Sequence, residues 1–351
     1  MHNENEFPKF PQDCQSLLCK YLTEDIFNKL KDTKTSYGFT IQNAIASGVQ
    51  NLDSGIGVYA GDKESYSTFS ALFDPIIEDY HNFTAKDSHK SNLNPDDLCA
   101  PNPDPQGQYI VSTRIRVGRN FDNMPLGPAI TKEQRDEIER VASQALNSLD
   151  NNLKGTYYPL NGMSQELKKR LIEDHFLFKA GDRFLESAGL NRDWPHGRGI
   201  FHNDEKTFLV WINEEDQLRI ISMQQGGDIK EVFERLTTAI SKLQEKIKFS
   251  YSQHLGYITS CPTNLGTAMR ASVHIKLPLL SKNMQEFKAI TDKHYLQIRG
   301  IDGEHSESKG GVYDISNKRR LGVTEVQCVQ DMYNGVIELI KAEKSKVGED
   351  V

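Results

Sequence analysis

The chain has 351 residues, of which 37% are hydrophobic and 26% are charged. This composition is ordinary for a globular protein and excludes a disordered or collagen-like chain. The 42 Lys and Arg residues against 49 Asp and Glu residues give a formal net charge of -7. Nucleic acids and membrane surfaces are polyanions, so this balance argues against a general binder of either. It still permits a local basic pocket for a small anion.

No apolar run approaches the roughly 18 residues that span a bilayer. The polar N-terminus, MHNENEFPKFPQD, lacks the basic and apolar regions of a secretory signal. We therefore expect a cytoplasmic protein that does not associate with membranes. Five cysteines, an odd number with no CxxC pair, predict free thiols and neither a disulfide framework nor a structural zinc site. They are Cys14, Cys19, Cys99, Cys261 and Cys328.

The first predicted elements are helices. Apolar residues recur at spacings of three and four within 14–31 and 40–50, and Thr40 is placed to cap the second of these helices. A loop with three glycines follows at 53–61. The pattern becomes helical again over 66–81, where Pro75 predicts a break or a start.

A change of composition at 84–108 predicts a domain boundary. This segment contains four prolines and many Asn and Asp residues, and therefore has little to bury. We predict an N-terminal helical domain over 8–85, a linker over 86–108 and a larger domain over 109–347.

The larger domain mixes strand and helix patterns. Two apolar runs, 208–212 and 218–223, flank a polar turn and predict a hairpin. Strands joined by turns favour a mainly antiparallel sheet flanked by helices, so the predicted class is α+β. The other predicted strands are 109–120, 255–260 and 270–277, and the predicted helices are 131–149, 166–178, 228–248 and 324–346.

Arginine recurs on one face of two predicted strands. The two-residue period of a strand places Ser112, Arg114 and Arg116 on one face. The same alternation groups Arg270 with Ser272, His274 and Lys276. Either stripe alone fits a solvated outer face, but two such stripes in an acidic protein favour an oxyanion site. Arginine suits phosphate because its planar fork donates two parallel hydrogen bonds.

Common nucleotide-binding motifs do not occur in this sequence. It contains no GxxxxGK[ST] and no HRD or DFG motif, and the glycines at 55, 57 and 61 have the wrong spacing for a dinucleotide fingerprint. If the chain binds ATP, arginine side chains must therefore provide much of the phosphate contact.

Acidic and thiol candidates lie in the predicted loops. Glu215 lies in the hairpin turn, Glu304 in the glycine-rich loop 299–311, and Cys261 directly after a predicted strand. Each has a plain structural alternative: a polar turn, a solvated carboxylate or an inert buried thiol. Nearby arginines would favour a thiolate at Cys261 by lowering its pKa.

Several blocks of the sequence together resemble the phosphagen (ATP:guanido) kinase family, and the arginine kinases most closely. The most specific block is CPTNLGT at 261–267. The resemblance extends from about 14 to 341, and its supporting blocks are STRIR at 112–116, GRGIFHN at 197–203, NEEDQLR at 213–219, RASVH at 270–274 and GVYDISNKRRLGVT at 311–324. It implies a helical N-terminal domain, an antiparallel catalytic domain and reversible transfer of the γ-phosphoryl of ATP, with Mg²⁺, to the guanidino group of L-arginine.

The resemblance also implies roles for individual residues. The expected catalytic residues are Glu215, Glu304, Cys261 and Arg219. Glu215, Cys261 and Glu304 should hold the guanidinium, and the loop Ser54, Gly55, Ile56, Gly57, Val58 and Tyr59 should bind the substrate carboxylate. The expected nucleotide-binding residues are Ser112, Thr113, Arg114, Ile115, Arg116, His175, Arg219, Arg270, Ala271, Ser272, Val273, His274, Arg299, Gly300 and Gly303. No protein residue is expected to ligate the metal directly.

Some further expectations come from the same resemblance. Asp53 and Arg183 match positions that pair across the two domains and should favour a closed state. Ile301 and Asp302 depart from the usual Thr and Arg, and Lys309 replaces a usual acid, so these positions receive no role. The open alternatives are another guanidino acceptor, such as taurocyamine, or a catalytically weak relative that acts as a binding protein. A monomer is expected.

Overall fold

The computed structural model describes residues 4–301, 308 and 310–348. Its α-helices are α1 Leu17–Tyr21, α2 Glu24–Leu30, α3 Ile41–Gln50, α4 Ser65–Thr68, α5 Ser70–His81, α6 Lys132–Asn147, α7 Gln165–Glu173, α8 Arg183–Ser187, α9 Ile229–Gln244, α10 Met284–Lys293 and α11 Glu325–Ser345. Its strands are β1 Ile110–Arg119, β2 Gly155–Pro159, β3 Gly199–Asn203, β4 Phe208–Ile212, β5 Leu218–Gln225, β6 Tyr251–Ser252, β7 Gly256–Tyr257, β8 Met269–Lys276, β9 Leu296–Arg299 and β10 Val312–Asn317.

Eight strands form one sheet in the order β2-β3-β4-β5-β1-β8-β10-β9. Each neighbouring pair is antiparallel, and β4 and β5 form the predicted hairpin. The predicted α+β class, with helices preceding an antiparallel sheet flanked by helices, is confirmed. The sequence patterns did not reveal β2, β3, β9, β10, α8 or α10.

Helices α6, α9 and α11 cover one face of the sheet. Ile115 and Val117 of β1 and Val273 of β8 are fully buried in the core between the sheet and these helices. Because side chains alternate along a strand, Arg114 and Arg116 project from the opposite face. The hydrophobic core therefore fixes the face on which the arginines stand.

Three helices begin at capping boxes. The hydroxyls of Thr40, Thr131 and Thr324 each accept a hydrogen bond from the backbone N–H three residues on, and the side chain at that third position bonds back to the threonine N–H. These contacts satisfy backbone groups that the first helical turn leaves unpaired. The cap predicted at Thr40 is thereby confirmed.

The N-terminal helices enclose a second core. Leu18, Ile41 and Phe73 are fully or almost fully buried in it. Leu255 and Leu265, from the far side of the sequence, belong to the same core. The helical region is therefore packed directly against the segment that leads to Cys261.

The segment predicted as a linker contacts the larger domain at several points. Leu98 and Ala100 are each 2% exposed and join the core of the sheet. The Asn92 N–H donates to Glu325 at 2.8 Å, at the start of α11. Most of 84–108 is nevertheless exposed, so the expectation that this segment buries little is confirmed, and its few buried apolar residues are spaced to meet the sheet.

Several predicted helix details are wrong. The segment 14–31 forms two short helices, because Thr23 caps a new start at α2. Pro75 lies inside α5 and does not break it. Its neighbours Ile76 and Ile77 are at most 2% exposed, so packing outweighs the lost hydrogen bond. The helix predicted over 166–178 ends at Glu173.

Two other predictions are wrong: one concerns the strand before Cys261, and the other concerns the cysteines near the N-terminus. The strand predicted over 255–260 reduces to the two residues of β7, Gly256 and Tyr257. Cys14 and Cys19 form a disulfide, which contradicts the prediction of free thiols. The turn before α1 brings these two sulfurs together. Cys99, Cys261 and Cys328 are free.

Across the part of the chain that the structure describes, no helix is both long and apolar enough to cross a bilayer.

Candidate active site

The uncovered face of β1 and β8 carries the predicted phosphate-binding side chains, and we call it the arginine face. The pairing of the two strands sets Arg116 opposite Arg270, Arg114 opposite Ser272 and Ser112 opposite His274. These six residues define the arginine face. The antiparallel ladder holds their backbones rigidly, so the guanidinium groups are positioned before any ligand binds.

Four residues of the same two stretches point the other way. Thr113, Ile115, Ala271 and Val273 are fully buried. The hydroxyl of Thr113 donates to the Gly226 carbonyl at 2.9 Å. The structure therefore does not bring these four side chains to the arginine face, and the nucleotide-binding role expected for them stays a prediction.

Positive charge is crowded on the arginine face. Burial lowers the pKa of Arg114 to about 9, with Arg219 and Arg270 as further causes. Burial and the neighbouring arginines also hold the pKa of Arg116 well below its usual value. Neither Arg114 nor Arg116 forms an ion pair within the described residues. A bound polyanion would relieve this repulsion.

Asp314 on β10 is the acid of this face, and the sequence patterns did not single it out. Its carboxylate accepts a hydrogen bond from Arg270 and contacts His274 Nε2 at 3.1 Å. Although burial opposes ionisation, His274 and Arg270 lower the pKa of Asp314. Its proximity to His274 follows from the pairing of β10 with β8, which the sequence patterns did not predict.

The segment after β9 is only partly described. Arg299 is the last residue of β9 and pairs with Asp314 across the strands. Gly300 follows it and is buried. Gly303 and Glu304, both predicted as site residues, lie outside the described residues, as do Asp302 and Lys309.

The predicted nucleotide-binding residue His175 lies outside the two strands of the arginine face. It is exposed and has a φ of 62° just beyond the end of α7. The carbonyl of the next residue, Phe176, accepts a hydrogen bond from the Trp211 indole at 2.8 Å. The Trp211 ring lies 5.9 Å from the guanidinium of Arg114 and 5.3 Å from that of Arg219. Within the described residues, no hydrogen bond or ring contact joins His175 itself to Arg114 or Arg219.

Arg219 joins the arginine face to the hairpin turn. Its Nη2 lies 3.6 Å from Glu214 Oε1 and 3.6 Å from Glu215 Oε2. Burial, together with Glu214 and Asp216, raises the pKa of Glu215 to about 7. Burial disfavours the charged form of Arg219, but the same acids raise its pKa overall. Glu215 is thus a carboxylate that titrates near neutral pH beside a permanent cation.

Cys261 lies close to Glu215 in a partly apolar setting. Its side chain is 6% exposed and packs with Tyr59, Ala188 and Leu190. Its Sγ is 3.0 Å from the Thr263 hydroxyl. Burial, with Glu215 as the next cause, raises the pKa of the thiol to about 12. Burial and the nearby charge of Glu215 therefore both oppose the thiolate form of Cys261.

A small network ties the hairpin turn to the Cys261 segment. Asp216 accepts hydrogen bonds from Asn120 at 2.9 Å and from the Ser260 N–H at 3.3 Å. The Ser260 carbonyl in turn accepts from the Ala60 N–H at 2.8 Å. Hairpin, thiol segment and N-terminal loop therefore meet at Ser260. Sequence reasoning missed Asn120 because a buried asparagine at a strand end has no distinctive spacing.

A cavity of about 480 Å³ lies between the glycine loop and the hairpin turn. We call it the loop cavity. The N-terminal side contributes Ser47, Asp53, Ser54, Gly55, Ile56, Gly57 and Tyr59, and the other side contributes Asp182, Phe184, Leu185 and Glu215. Five of the six predicted loop residues line it. Val58 is the exception, because it is fully buried in the core of the N-terminal helices.

In the glycine loop, the carbonyl groups accept hydrogen bonds from the rest of the protein, whereas the amide groups are left available to a ligand. The N–H groups of Leu17 and Leu18 donate to the carbonyls of Gly55 and Ile56 at 2.9 and 3.1 Å. Within the described residues, the N–H groups of 55–58 donate to no acceptor. Gly57 has a φ of +80°, and a Cβ there would lie 2.9 Å from the Leu18 Cβ. Adjacent amides without partners can bind a carboxylate.

The predicted pair of Asp53 and Arg183 forms at the edge of the loop cavity. Arg183 Nη1 donates to Asp53 Oδ1 at 2.7 Å and to Asn51 Oδ1 at 3.1 Å, and Arg183 Nη2 donates to the second Asp53 oxygen. The side chain of Arg183 is 55% exposed and that of Asp53 is 63% exposed. This geometry links the glycine loop to α8 through an ion pair that water can screen.

A larger cavity, of about 640 Å³, lies elsewhere, between Tyr66, Asp74, Met124 and His254. None of the predicted site residues lines it. Volume therefore does not identify the chemical site, whereas the convergence of charged groups at Arg219 does.

Comparison with known proteins agrees with this geometry. Residues 12–78 match the ATP:guanido phosphotransferase N-terminal domain, and residues 137–346 match the C-terminal catalytic domain. The arginine kinase Met e 2 of Metapenaeus ensis is 56% identical over 336 residues, which cover 95% of this chain and 94% of that protein.

Two solved structures are also similar. A lombricine kinase superposes with a TM-score of 0.93 at 39% identity, covering 99% of this chain and 98% of its own. The duplicated taurocyamine kinase of Schistosoma mansoni, with bound transition-state analog components, gives a TM-score of 0.88 at 46% identity and covers 95% of this chain. This chain spans 47% of that duplicated protein.

These matches define the class of the molecule as a phosphotransferase that acts on a guanidino group. The chain belongs to the ATP:guanido phosphotransferase family, and the resemblance drawn from its sequence is confirmed.

Proposed function

We propose that this protein is an arginine kinase, which catalyses MgATP + L-arginine ⇌ MgADP + phosphoarginine + H⁺ and so buffers ATP. In the forward direction a guanidino nitrogen forms a bond to the γ-phosphorus, the bond from that phosphorus to the bridging oxygen of ADP breaks, and the guanidinium releases a proton. The observation that carries the proposal is the position of Arg219, which contacts Glu215 and Glu214 at 3.6 Å and shares the Trp211 ring with Arg114.

In this proposal the arginine face binds the triphosphate. Arg114, Arg116, Arg219, Arg270 and Arg299 supply the charge, and Ser112, Ser272, His274, His175 and Gly300 line the remainder of the site. Phosphoryl transfer asks the protein for alignment and charge stabilisation more than for covalent chemistry. Guanidinium groups fixed on an antiparallel ladder supply both without reorganisation.

The loop cavity takes the acceptor. Glu215 and Cys261 hold the guanidinium, with Glu304 as a further predicted partner, and the amides of 55–57 receive the α-carboxylate. The pKa of a guanidinium lies far above the value of about 7 for Glu215. Full deprotonation before transfer is therefore unfavourable. Glu215 chiefly aligns the planar group, and proton removal accompanies transfer.

Magnesium belongs to the nucleotide substrate in this proposal. The described residues contain no group of three or more His, Cys, Asp or Glu side chains able to hold a metal ion. The arginine face suits the phosphate oxygens of MgATP, and Mg²⁺ neutralises part of their charge when it is bound with them.

The remaining expectations are part of the same proposal. We infer a division into domains over 8–85 and 109–347 joined by 86–108, with closure of the two domains around both substrates, a monomeric state and a cytoplasmic location.

A coupled assay for ADP production, run with arginine, taurocyamine, creatine and glycocyamine, tests the function. We expect turnover with arginine at least tenfold above that with the other acceptors, because arginine alone of the four carries an α-carboxylate beside an α-ammonium group. A preference for taurocyamine would show that taurocyamine, and not arginine, is the acceptor. Absence of turnover with all four, from a folded protein that binds MgADP, would favour a binding protein.

A further inference from the structure

Two carboxylates stand at the rim of the loop cavity, Asp53 and Asp182, and they differ in their partners. Both oxygens of Asp53 are engaged by Arg183. Asp182 uses Oδ1 to cap α8, accepting from the N–H groups of Phe184 at 3.0 Å and Leu185 at 3.1 Å. Its Oδ2 accepts no hydrogen bond within the described residues. Of these two rim carboxylates, Asp182 therefore keeps one oxygen available to a ligand.

Asp182 lines the same cavity as the groups proposed to bind the acceptor. Burial raises the pKa of the Tyr59 phenol, and the carboxylates of Glu215 and Asp182 add to that effect. Tyr59, Asp182 and Glu215 all line the loop cavity. Asp182 thus belongs to the lining that faces a ligand, although it lies on the opposite side from the glycine loop.

The charges of L-arginine can be matched to this lining, and this step rests on the proposed function. Glu215 and Cys261 take the guanidinium, and the loop amides take the α-carboxylate. The α-ammonium is bonded to the same carbon as the carboxylate, so it must lie near the rim. Asp182 is exposed at this rim, where a carboxylate can pair with an ammonium group. At the rim, Asp53 is already neutralised by Arg183, which leaves Asp182.

We propose that Asp182 is a specificity-determining residue, whose carboxylate binds the α-ammonium group of the acceptor. The enzyme would thereby select α-amino guanidino acids over acceptors such as taurocyamine and glycocyamine, which lack that group. Asp182 would act mainly on the KM of the acceptor, because the α-ammonium is remote from the transferred phosphoryl and is held equally in the ground and transition states.

The N-cap role of Asp182 allows its charge to be tested separately. Asparagine caps helices about as well as aspartate. Asp182→Asn therefore keeps the start of α8 and removes the negative charge, whereas Asp182→Ala removes both. Glu186→Gln is the matched control, because Glu186 is an exposed acid of the same helix that does not line the cavity.

The experiment compares kcat/KM for L-arginine and for 5-guanidinopentanoate, which is arginine without its α-amino group. We expect the wild type to prefer arginine, and Asp182→Asn to reduce that preference about five- to tenfold through the KM of arginine alone. Glu186→Gln should leave the preference unchanged.

The assignment would be overturned if Asp182→Asn lowered kcat/KM equally for both acceptors, or if it preserved the wild-type preference. An equal loss that appears only in Asp182→Ala would assign Asp182 to the helix cap. If the wild type failed to phosphorylate arginine at all, the proposed function would fall and this assignment with it, so the two failures are distinguishable.

Discussion

The arginine face and the loop cavity differ in how the chain builds them. The arginine face comes mainly from two neighbouring strands, β1 and β8, and its spacing follows from the two-residue period of a strand. The loop cavity draws on the glycine loop, the start of α8 and the hairpin turn, which are far apart in the sequence. A ladder of backbone hydrogen bonds fixes the first, whereas contacts between separate segments fix the second. We therefore expect substitutions on the face to affect kcat most, and substitutions at the rim of the cavity to affect the KM of the acceptor.

Arg219→Ala should have the largest effect, because Arg219 is shared by the two regions. We expect kcat to fall about 10³-fold or more, since an arginine on a transferring phosphoryl group contributes on that scale. Arg219→Lys should recover only part of this, because an ammonium lacks the planar fork. Arg140→Ala, on the exposed side of α6, is the control. Activity of Arg219→Ala within tenfold of wild type would show that the two regions do not meet at this residue.

Glu215→Gln tests the cavity alone. The amide keeps the shape of the side chain and removes the charge that aligns the guanidinium, so we expect kcat/KM for arginine to fall about 10²-fold or more. The KM of MgATP should change little. Glu214→Gln is the matched comparison, because Glu214 lies equally close to Arg219 but does not line the cavity. Retention of most of the wild-type turnover by Glu215→Gln would rule out a required carboxylate at this position.

The pH dependence should separate the two regions further. The pKa of Glu215 is about 7, and only its ionised form attracts the guanidinium. In the direction of phosphoarginine synthesis, kcat/KM for arginine should therefore rise with pH up to about 7 and level off above it. The thiol of Cys261, with a pKa of about 12, does not ionise in this range in the free enzyme.

The same profile measured with Glu215→Gln should lose the inflection near neutral pH, while the KM of MgATP stays nearly constant in both proteins. A wild-type profile that is flat between about pH 6 and pH 8 would contradict the assignment of this titration to Glu215.

Asp53→Ala should have the smallest effect of this series. The pair with Arg183 is exposed, and exposed ion pairs contribute little, so we expect the KM of arginine to rise about two- to fivefold with kcat nearly unchanged. Raised ionic strength should reduce the difference between variant and wild type. Unchanged affinity and turnover in Asp53→Ala would remove the idea that this pair favours the closed state.

The arginine face could be predicted from sequence because strand periodicity is a local property. Arg114 and Arg270 fall on the same face of their strands whatever the other strands do, and the cap at Thr40 depends on four consecutive residues. The same period places Ile115 and Ala271 on the opposite face, where they are fully buried. They were expected to bind nucleotide only because the family resemblance assigned whole blocks without regard to alternation.

The remaining parts depend on contacts that the sequence does not display. The partners of Asp314 and Asn120 come from other strands and loops, and the pKa of Cys261 is raised mainly by burial and by Glu215, which lies elsewhere in the sequence. Val58 belongs to the glycine loop in sequence, but its side chain is buried in the core of the N-terminal helices. Pro75 remains within α5 because Ile76 and Ile77 are packed on both sides. Each of these outcomes was decided by tertiary packing, which outweighs local preference.

The most direct measurement of a joint site is a crystal structure with MgADP and L-arginine bound. We expect the phosphates to contact Arg114, Arg116 and Arg270, and the arginine to extend from Glu215 and Cys261 to the amides of the glycine loop, with Arg219 between the two ligands. Nucleotide bound away from the arginine face, or arginine bound outside the loop cavity, would contradict this arrangement.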